Sequence, residues 1–157
     1  MVPPPAGAKG RPARGLQLAM PLVRIDLLRG QSPGLGRKVG EVVYRSMVDT
    51  IEVPKDDNFQ VIGEHSMETL VFDLGYFGIA RSEGFVAVQI TLSEGRSLEK
   101  KRLLYKTIAE RLQRELGVRP QDVFINLVEV KKENWSFGLG EASYAPAVQA
   151  ATEASAA

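Results

Sequence analysis

Met20 and Pro21 form the pair of residues with the most distinctive chemical potential in this sequence. A proline at a true amino terminus is a secondary amine, and the pKa of an α-amino group, near ~8, falls in apolar surroundings. Such an amine can act as a general base near neutral pH or, when protonated, as a general acid. Inside a longer chain Pro21 is a tertiary amide with neither basicity nor a proton. Amine chemistry at Pro21 therefore requires translation from Met20 with methionine removal, or cleavage of the preceding residues.

The sequence excludes several other kinds of reactive centre. It contains no cysteine, which excludes disulfide frameworks, thiolate zinc sites and cysteine nucleophiles. The single histidine, His65, excludes a His-rich metal site and limits a Ser-His-Asp triad to that one residue. Because His65 stands beside Glu64 in a loop-like region, a structural or surface role is favoured over an acid-base role.

The charge distribution argues against a polyanionic or membrane partner. The chain has 20 basic and 19 acidic residues, and residues 1–20 contain three of the basic ones and no acid. The remainder is slightly acidic, which does not favour nucleic-acid binding. No apolar run reaches the ~18 residues that a membrane span needs, and the leader lacks the apolar core of a secretory signal. We therefore expect a cytoplasmic protein.

Composition divides the chain into three parts. Residues 1–20 are rich in Pro, Gly and Ala without any hydrophobic period, which predicts a disordered or processed leader. The Ala-rich residues 146–157 have too few large side chains to dock firmly and predict a flexible tail. A single folded domain is expected at 21–145.

Hydrophobic periodicity predicts two strand-helix-strand units within this domain. A helix is predicted from Pro33 to about Ile51, and a second helix is predicted from the Ser97 cap to Leu116, closed by Gly117. Gly138 indicates a turn near the end of the domain. The predicted strands are 21–28, a short one at 59–62, 85–95 and 122–130.

An internal repeat supports this division. VRIDLLRGQS (23–32) and VQITLSEGRS (88–97) match at five of ten positions with a constant offset of 65. The repeat predicts an α+β fold in which two β-α-β repeats form a four-stranded sheet with two helices on one face. The other face would need partner subunits. A ferredoxin-like regulatory or small-ligand domain, built from the same units, is an alternative.

Three segments resemble the tautomerase superfamily, and most closely its malonate semialdehyde decarboxylase-like branch. They are MPLVRIDLLRGQS (20–32), EGRS (94–97) and NWSFGLGEASY (134–144), and the resemblance covers about 20–145. It implies a homotrimer of double β-α-β subunits with a catalytic amino-terminal proline and without metal or organic cofactor. It also implies tautomerisation, decarboxylation, hydration or dehalogenation of a small carboxylate.

The resemblance implies roles for individual residues. Pro21 corresponds to the catalytic proline, and Arg96, at the start of the second helix, to an arginine that binds the substrate carboxylate. Asp57 corresponds to the aspartate that activates water or orients the substrate. An aromatic wall is implied for Trp135, Phe137 and Tyr144. The alternatives are an exposed loop acid for Asp57, a solvated arginine for Arg96 and an ordinary aromatic core cluster.

One departure from the branch's pattern leaves the reaction open. The pattern has two arginines one residue apart, whereas this chain has Glu94 and Gly95 before Arg96. A carboxylate in the same pocket would repel an anionic substrate by a few kcal/mol. Arg24 and Arg81 are possible substitutes. The leading hypothesis is therefore a tautomerase-type enzyme that uses Pro21. The alternatives are a malonate semialdehyde decarboxylase or hydratase activity, and a non-catalytic trimeric module with Pro21 blocked.

Overall fold

Four strands and two long helices make up residues 20–144, the part of the chain that the computed structural model describes. In chain order they are β1 (Leu22–Leu28), α1 (Leu35–Ile51), β2 (Phe59–His65), β3 (Val86–Ser93), α2 (Leu98–Leu116) and β4 (Val123–Val130). Apart from Met20, the predicted leader lies outside the described residues, and so does the predicted tail. None of the helices within 20–144 has the length and apolarity to cross a membrane.

The sheet has the strand order β2-β1-β3-β4. β1 pairs in parallel with β2, and β3 pairs in parallel with β4, while β1 and β3 meet antiparallel at the centre. Each parallel pair is joined by one helix, so the two halves are β-α-β units. The predicted repeat and four-stranded sheet are therefore confirmed.

Both helices lie on one face of the sheet, as predicted. Because apolar residues recur every three or four positions in each helix, one stripe of each helix is buried. Complete burial of such a side chain stabilises the fold by about 1.5–3 kcal/mol. The fully buried side chains of this layer include Val39, Val43 and Met47 of α1, Leu104, Ile108 and Leu112 of α2, Val23, Ile25 and Leu27 of β1, and Val88, Ile90 and Leu92 of β3.

The ends of α2 are those that the sequence predicts. The Ser97 hydroxyl accepts a hydrogen bond from the backbone N–H of Lys100 at 3.2 Å. Gly117 has a φ of 67°, and its N–H donates to the carbonyl of Gln113. α1 begins at Leu35, two residues after the predicted start, because Gly34 adopts a left-handed conformation.

The other face of the sheet is open in the single chain. Every second side chain along each strand points away from the helices and lies on this open face. Several of the large apolar ones are about half exposed. These are Leu22, Phe59, Val61 and Phe124, at 41%, 54%, 47% and 49% exposure. One layer of helices covers one face only, so this arrangement agrees with the expectation that the second face needs a partner.

β2 extends three residues beyond its predicted end and carries His65 to the far end of the sheet. There the His65 Nε2 lies 2.5 Å from Oδ1 of Asp26. The other carboxylate oxygen of Asp26, Oδ2, accepts a hydrogen bond from Arg24 Nε at 2.9 Å. Gly63 makes room for this pair, because a Cβ there would lie 2.6 Å from Asp26 Oδ1. These contacts support the structural role expected for His65.

Candidate active site

Strand pairing brings Pro21, Asp57 and Arg96 to one end of the sheet. Leu22, the first residue of β1, pairs with Phe59, the first residue of β2. Pro21 immediately precedes one strand, and Asp57 lies two residues before the other. β3 runs antiparallel to β1, so its end lies beside the start of β1, and Arg96 follows that end by three residues. The topology therefore unites residues that are up to 75 positions apart in the sequence.

Pro21 is buried and forms part of a cavity at this end of the sheet. The cavity has a volume of about 270 Å³. A cavity of about 150 Å³ holds a benzene molecule, so this one has room for a small organic acid. Its lining residues are Met20, Pro21, Leu22, Phe59, Trp135, Ser136 and Phe137.

Asp57 is a buried carboxyl group whose oxygens form no well-aligned hydrogen bond within residues 20–144. It is only 4% exposed, and neither of its carboxylate oxygens meets hydrogen-bond geometry with another group of the described residues. Burial raises the pKa of Asp57 to about 6, and the neighbouring charge of Asp56 adds to the effect. The backbone N–H of Met20 lies close to the carboxyl group and lowers its pKa, which offsets part of the rise. Asp57 therefore titrates close to neutral pH, which an exposed loop acid would not do.

Arg96 is held between the end of α1 and the end of β3. Its Nη1 donates to the carbonyl of Ser93 at 3.0 Å, and its Nε donates to the carbonyl of Ile51 at 3.4 Å. Burial lowers the pKa of Arg96, whereas the charges of Glu129 and Glu52 raise it. A guanidinium remains protonated in proteins, so Arg96 places a fixed cation just before the first turn of α2.

The three predicted aromatic residues form one wall. The rings of Trp135 and Phe137 are stacked with centroids 5.5 Å apart, and Phe137 meets Tyr144 edge to face at 5.3 Å. Ser143 closes this loop, because its hydroxyl accepts from the N–H of Phe137 at 2.9 Å. Its own N–H donates to the carbonyl of Trp135 at 3.1 Å.

Tyr144 connects the wall to the two charged residues. Burial raises the pKa of the Tyr144 hydroxyl, and the charge of Asp57 raises it further, whereas Arg96 lowers it. Tyr144 is therefore within electrostatic reach of both groups. The six residues to which the resemblance assigns a role all lie at the same end of the sheet: Pro21, Asp57, Arg96, Trp135, Phe137 and Tyr144.

Several site residues were not evident from the sequence. Ser93 accepts a hydrogen bond from Trp135 Nε1 at 3.1 Å, and Leu22 and Phe59 line the cavity. Leu22 and Phe59 begin their strands, so strand pairing could have identified them. A serine at the end of an apolar strand carries no signal of this kind.

Within the single chain, both other candidate cations are bound to groups outside this cluster. Arg24 is bound to Asp26 on the open face of the sheet, and Arg81 Nη1 donates to the carbonyl of Tyr76 at 2.9 Å. Glu94 is exposed, and its N–H bonds to the last residue of β4. Within a single chain, the contacts of Arg24 and Arg81 therefore do not support either one as a replacement for the missing arginine.

The assembled groups suit proton transfer on an anionic substrate. A fixed cation, a carboxyl group that titrates near pH 6 and an apolar cavity lie at the same end of the sheet, although neither Arg96 nor Asp57 is among the residues that line the cavity. Within residues 20–144 there is no group of three or more His, Asp or Glu side chains placed to hold a metal ion. The acid-base chemistry of Pro21 depends on whether its nitrogen is an amine.

Family comparisons agree with this arrangement. Two models described as tautomerase enzyme match the chain, one over residues 57–138 and the other over residues 21–74. The chain is 40% identical over 123 residues to the probable tautomerase YusQ of Bacillus subtilis (strain 168). That alignment covers 78% of this chain and 97% of the relative.

Solved structures share the fold. A malonate semialdehyde decarboxylase, whose crystal structures were interpreted in terms of decarboxylase and hydratase activities, superposes with a TM-score of 0.71 and 32% identity. The match covers 78% of this chain and 94% of that one. The Q0 fused 4-OT symmetric trimer shows the same fold with a TM-score of 0.62 and 20% identity, covering 76% and 94%. The chain belongs to the tautomerase superfamily.

Proposed function

We propose that the protein is a cofactor-independent, tautomerase-type enzyme that acts on a small carboxylate through the amine of Pro21. The observation that carries the proposal is that Pro21 lines a cavity beside the aromatic wall, at the same end of the sheet as Arg96. A base, an anion-binding cation and a water-excluding surface each favour proton transfer next to the carbonyl of a small carboxylate.

In this mechanism the free amine of Pro21 removes an acidic proton from the carbon next to a carbonyl. The C–H bond breaks, an N–H bond forms, and the electron pair moves onto the carbonyl oxygen as an enolate. The ammonium then returns the proton to that oxygen, which gives the enol, or to the carbon two positions away when the enolate is conjugated with a second double bond. Ketonisation of an enol runs the same steps in reverse. Arg96 holds the substrate carboxylate, while Trp135 and Phe137 exclude water and lower the pKa of the amine.

The mechanism requires that the mature polypeptide begin at Pro21. Translation from Met20 followed by methionine removal would produce that terminus, and so would cleavage after Met20. If the preceding residues are retained, the nitrogen is an amide that cannot exchange a proton. The protein would then be the non-catalytic trimeric module, and intact-mass measurement on protein from its native host distinguishes the two forms.

Decarboxylation or hydration is a second candidate, and Asp57 favours it. A protonated Pro21 would polarise a carbonyl, while a buried carboxyl group without hydrogen-bond partners could direct a water molecule onto the substrate. The similar malonate semialdehyde decarboxylase is described with both activities. Against this candidate stands Glu94, which occupies the position of the second arginine in the branch's pattern.

We also propose a homotrimer with its sites between subunits. The exposed apolar side chains of the open face, including Phe59 and Phe124, support a partner at this surface. One structure of the same fold is described as a symmetric trimer. Light scattering after size-exclusion chromatography should give a mass three times that of one chain. The cytoplasmic location and the lack of a nucleic-acid or membrane partner remain predictions.

An ultraviolet assay tests the proposed activity. Native protein of verified mass is incubated with enolised 2-keto acids, 3-oxopropanoate and a 3-haloacrylate, alongside Pro21→Ala and Asp57→Asn variants. The proposal predicts ketonisation of the 2-keto acids that is lost in Pro21→Ala. Turnover of 3-oxopropanoate that is lost in both variants would favour the second candidate. Activity that survives Pro21→Ala would remove the proline from the mechanism.

A further inference from the structure

Ser93 makes two contacts, each to a different part of the candidate site. Its hydroxyl oxygen accepts a hydrogen bond from Nε1 of Trp135 at 3.1 Å. Its carbonyl oxygen accepts one from Nη1 of Arg96 at 3.0 Å. The aromatic wall and the anion-binding cation are thus attached to the same residue, the last one of β3.

The burial of Ser93 is unusual for its position in the strand. Alternation along β3 places its side chain on the open face of the sheet, together with Gln89 and Thr91. Gln89 is exposed, whereas Ser93 is only 1% exposed. The loop that carries Trp135 therefore covers this end of the open face, and the indole supplies the hydrogen bond that a buried hydroxyl requires.

The backbone around Ser93 is held on a second side as well. Ser93 pairs with Val130 of β4, and the N–H of the following residue donates to the Val130 carbonyl at 2.9 Å. A residue fixed in a central strand is a rigid support. Side chains that form hydrogen bonds with such a residue are held in position more precisely than side chains on a loop without such a bond.

We propose that Ser93 is a positioning residue that fixes the aromatic wall relative to Arg96. This inference rests on the proposed function, because it assumes that one small substrate contacts both Arg96, through its carboxylate, and the aromatic wall. Loss of the hydroxyl would free the indole, and the substrate would lose its orientation while keeping its contact with the cation.

The fluorescence of Trp135 tests the tether independently of activity. Trp135 is the single tryptophan of the chain, so its emission reports on this site alone. In the full chain, Ser93→Ala should shift the emission maximum and raise the acrylamide quenching constant by about twofold, because the indole N–H loses its protein partner. Ser46→Ala is the matched control, since Ser46 is equally buried but its hydroxyl bonds only to the Val42 carbonyl within α1.

Steady-state kinetics with an enolised 2-keto acid test the consequence for substrate orientation. For native enzyme, Ser93→Ala should lower kcat about fivefold, the effect of one hydrogen bond, with a smaller change in KM because the carboxylate keeps its contact with Arg96. Trp135→Phe removes the donor from the other side of the same contact. The double variant should be no worse than the more impaired single variant, because both substitutions delete one interaction.

The outcomes separate the tether from the enzyme proposal. Emission and quenching in Ser93→Ala that match wild type and Ser46→Ala would overturn the inference, and so would strictly additive effects of Ser93→Ala and Trp135→Phe. Either result leaves a Pro21-dependent activity intact. Altered fluorescence in a protein without any ketonisation activity would instead keep the tether and remove the proposed function.

Discussion

Replacement of Asp57 by asparagine tests the most unusual energetic feature of the structure. Asp57 is buried, and neither of its carboxylate oxygens has a hydrogen-bond partner among the described residues. Burial of a carboxylate destabilises the folded state, since the charge loses its hydration, and the nearby backbone N–H of Met20 offsets only part of that loss. An asparagine side chain has nearly the same shape as an aspartate and carries no charge. We therefore expect the Asp57→Asn variant to be more stable than wild type wherever Asp57 is ionised.

The pKa of Asp57 sets the size and the sign of this effect. The carboxyl titrates at about 6 in the folded chain, against an ordinary value of 3.8. A difference of about 2 in pKa corresponds to roughly 3 kcal/mol. Between about pH 4 and pH 6 the folded state binds a proton that the unfolded state has lost, so the contribution of Asp57 to stability falls as pH rises through this window. Above this window the ionised carboxylate destabilises the folded state by the full amount.

Urea unfolding of the full chain at several pH values measures the effect. Relative to wild type, Asp57→Asn should gain up to about 3 kcal/mol between pH 4 and pH 7.5, and almost all of the gain should appear by about pH 7. Asp56→Asn is the comparison variant, because Asp56 is exposed and its charge contributes less to the Asp57 shift than burial does. Its pH-dependent gain should therefore be well below that of Asp57→Asn. An Asp57→Asn variant whose stability runs parallel to wild type across this range would refute the reasoning.

Two further predictions concern the start of α2. Arg96→Lys should raise KM for a carboxylate substrate about tenfold with a smaller effect on kcat, because an ammonium cannot form the paired contacts of a guanidinium; an unchanged KM would argue against Arg96 as the anion-binding group. Ser97→Ala removes the hydroxyl that caps the helix and should lower the free energy of unfolding by about 1 kcal/mol in urea titrations. Equal midpoints for the two proteins would show that the cap contributes nothing.

Most of the fold could be predicted from the sequence because its signals are local. Helix α2 has a regular apolar stripe between a serine cap and Gly117, so its pattern and its ends agree. β2 was predicted too short, because this edge strand lies in the open sheet and alternates weakly between exposed and half-buried residues. The irregular residues 66–84 between β2 and β3 have no period that could predict their course.

The site was predictable to a smaller extent. The proline, the arginine and the Trp-Ser-Phe-Gly segment stand in motifs, so resemblance could identify them. The isolation of Asp57 could not be predicted, because burial without a partner depends on how distant segments pack around the carboxyl group. The same holds for Ser93, whose partner Trp135 lies 42 residues away. Short-range patterns carry no information about such contacts.

The most direct test of the central claim compares two forms of one protein that differ in the state of the Pro21 nitrogen. One form retains all 157 residues uncut, and the other is translated from Met20 so that methionine removal exposes Pro21. Intact mass verifies each terminus, and matching urea midpoints verify the fold. With an enolised 2-keto acid, we predict that kcat/KM is at least about 10²-fold higher when Pro21 is the first residue, the range expected for general acid-base catalysis. Equal activity in the uncut chain would contradict an amine mechanism.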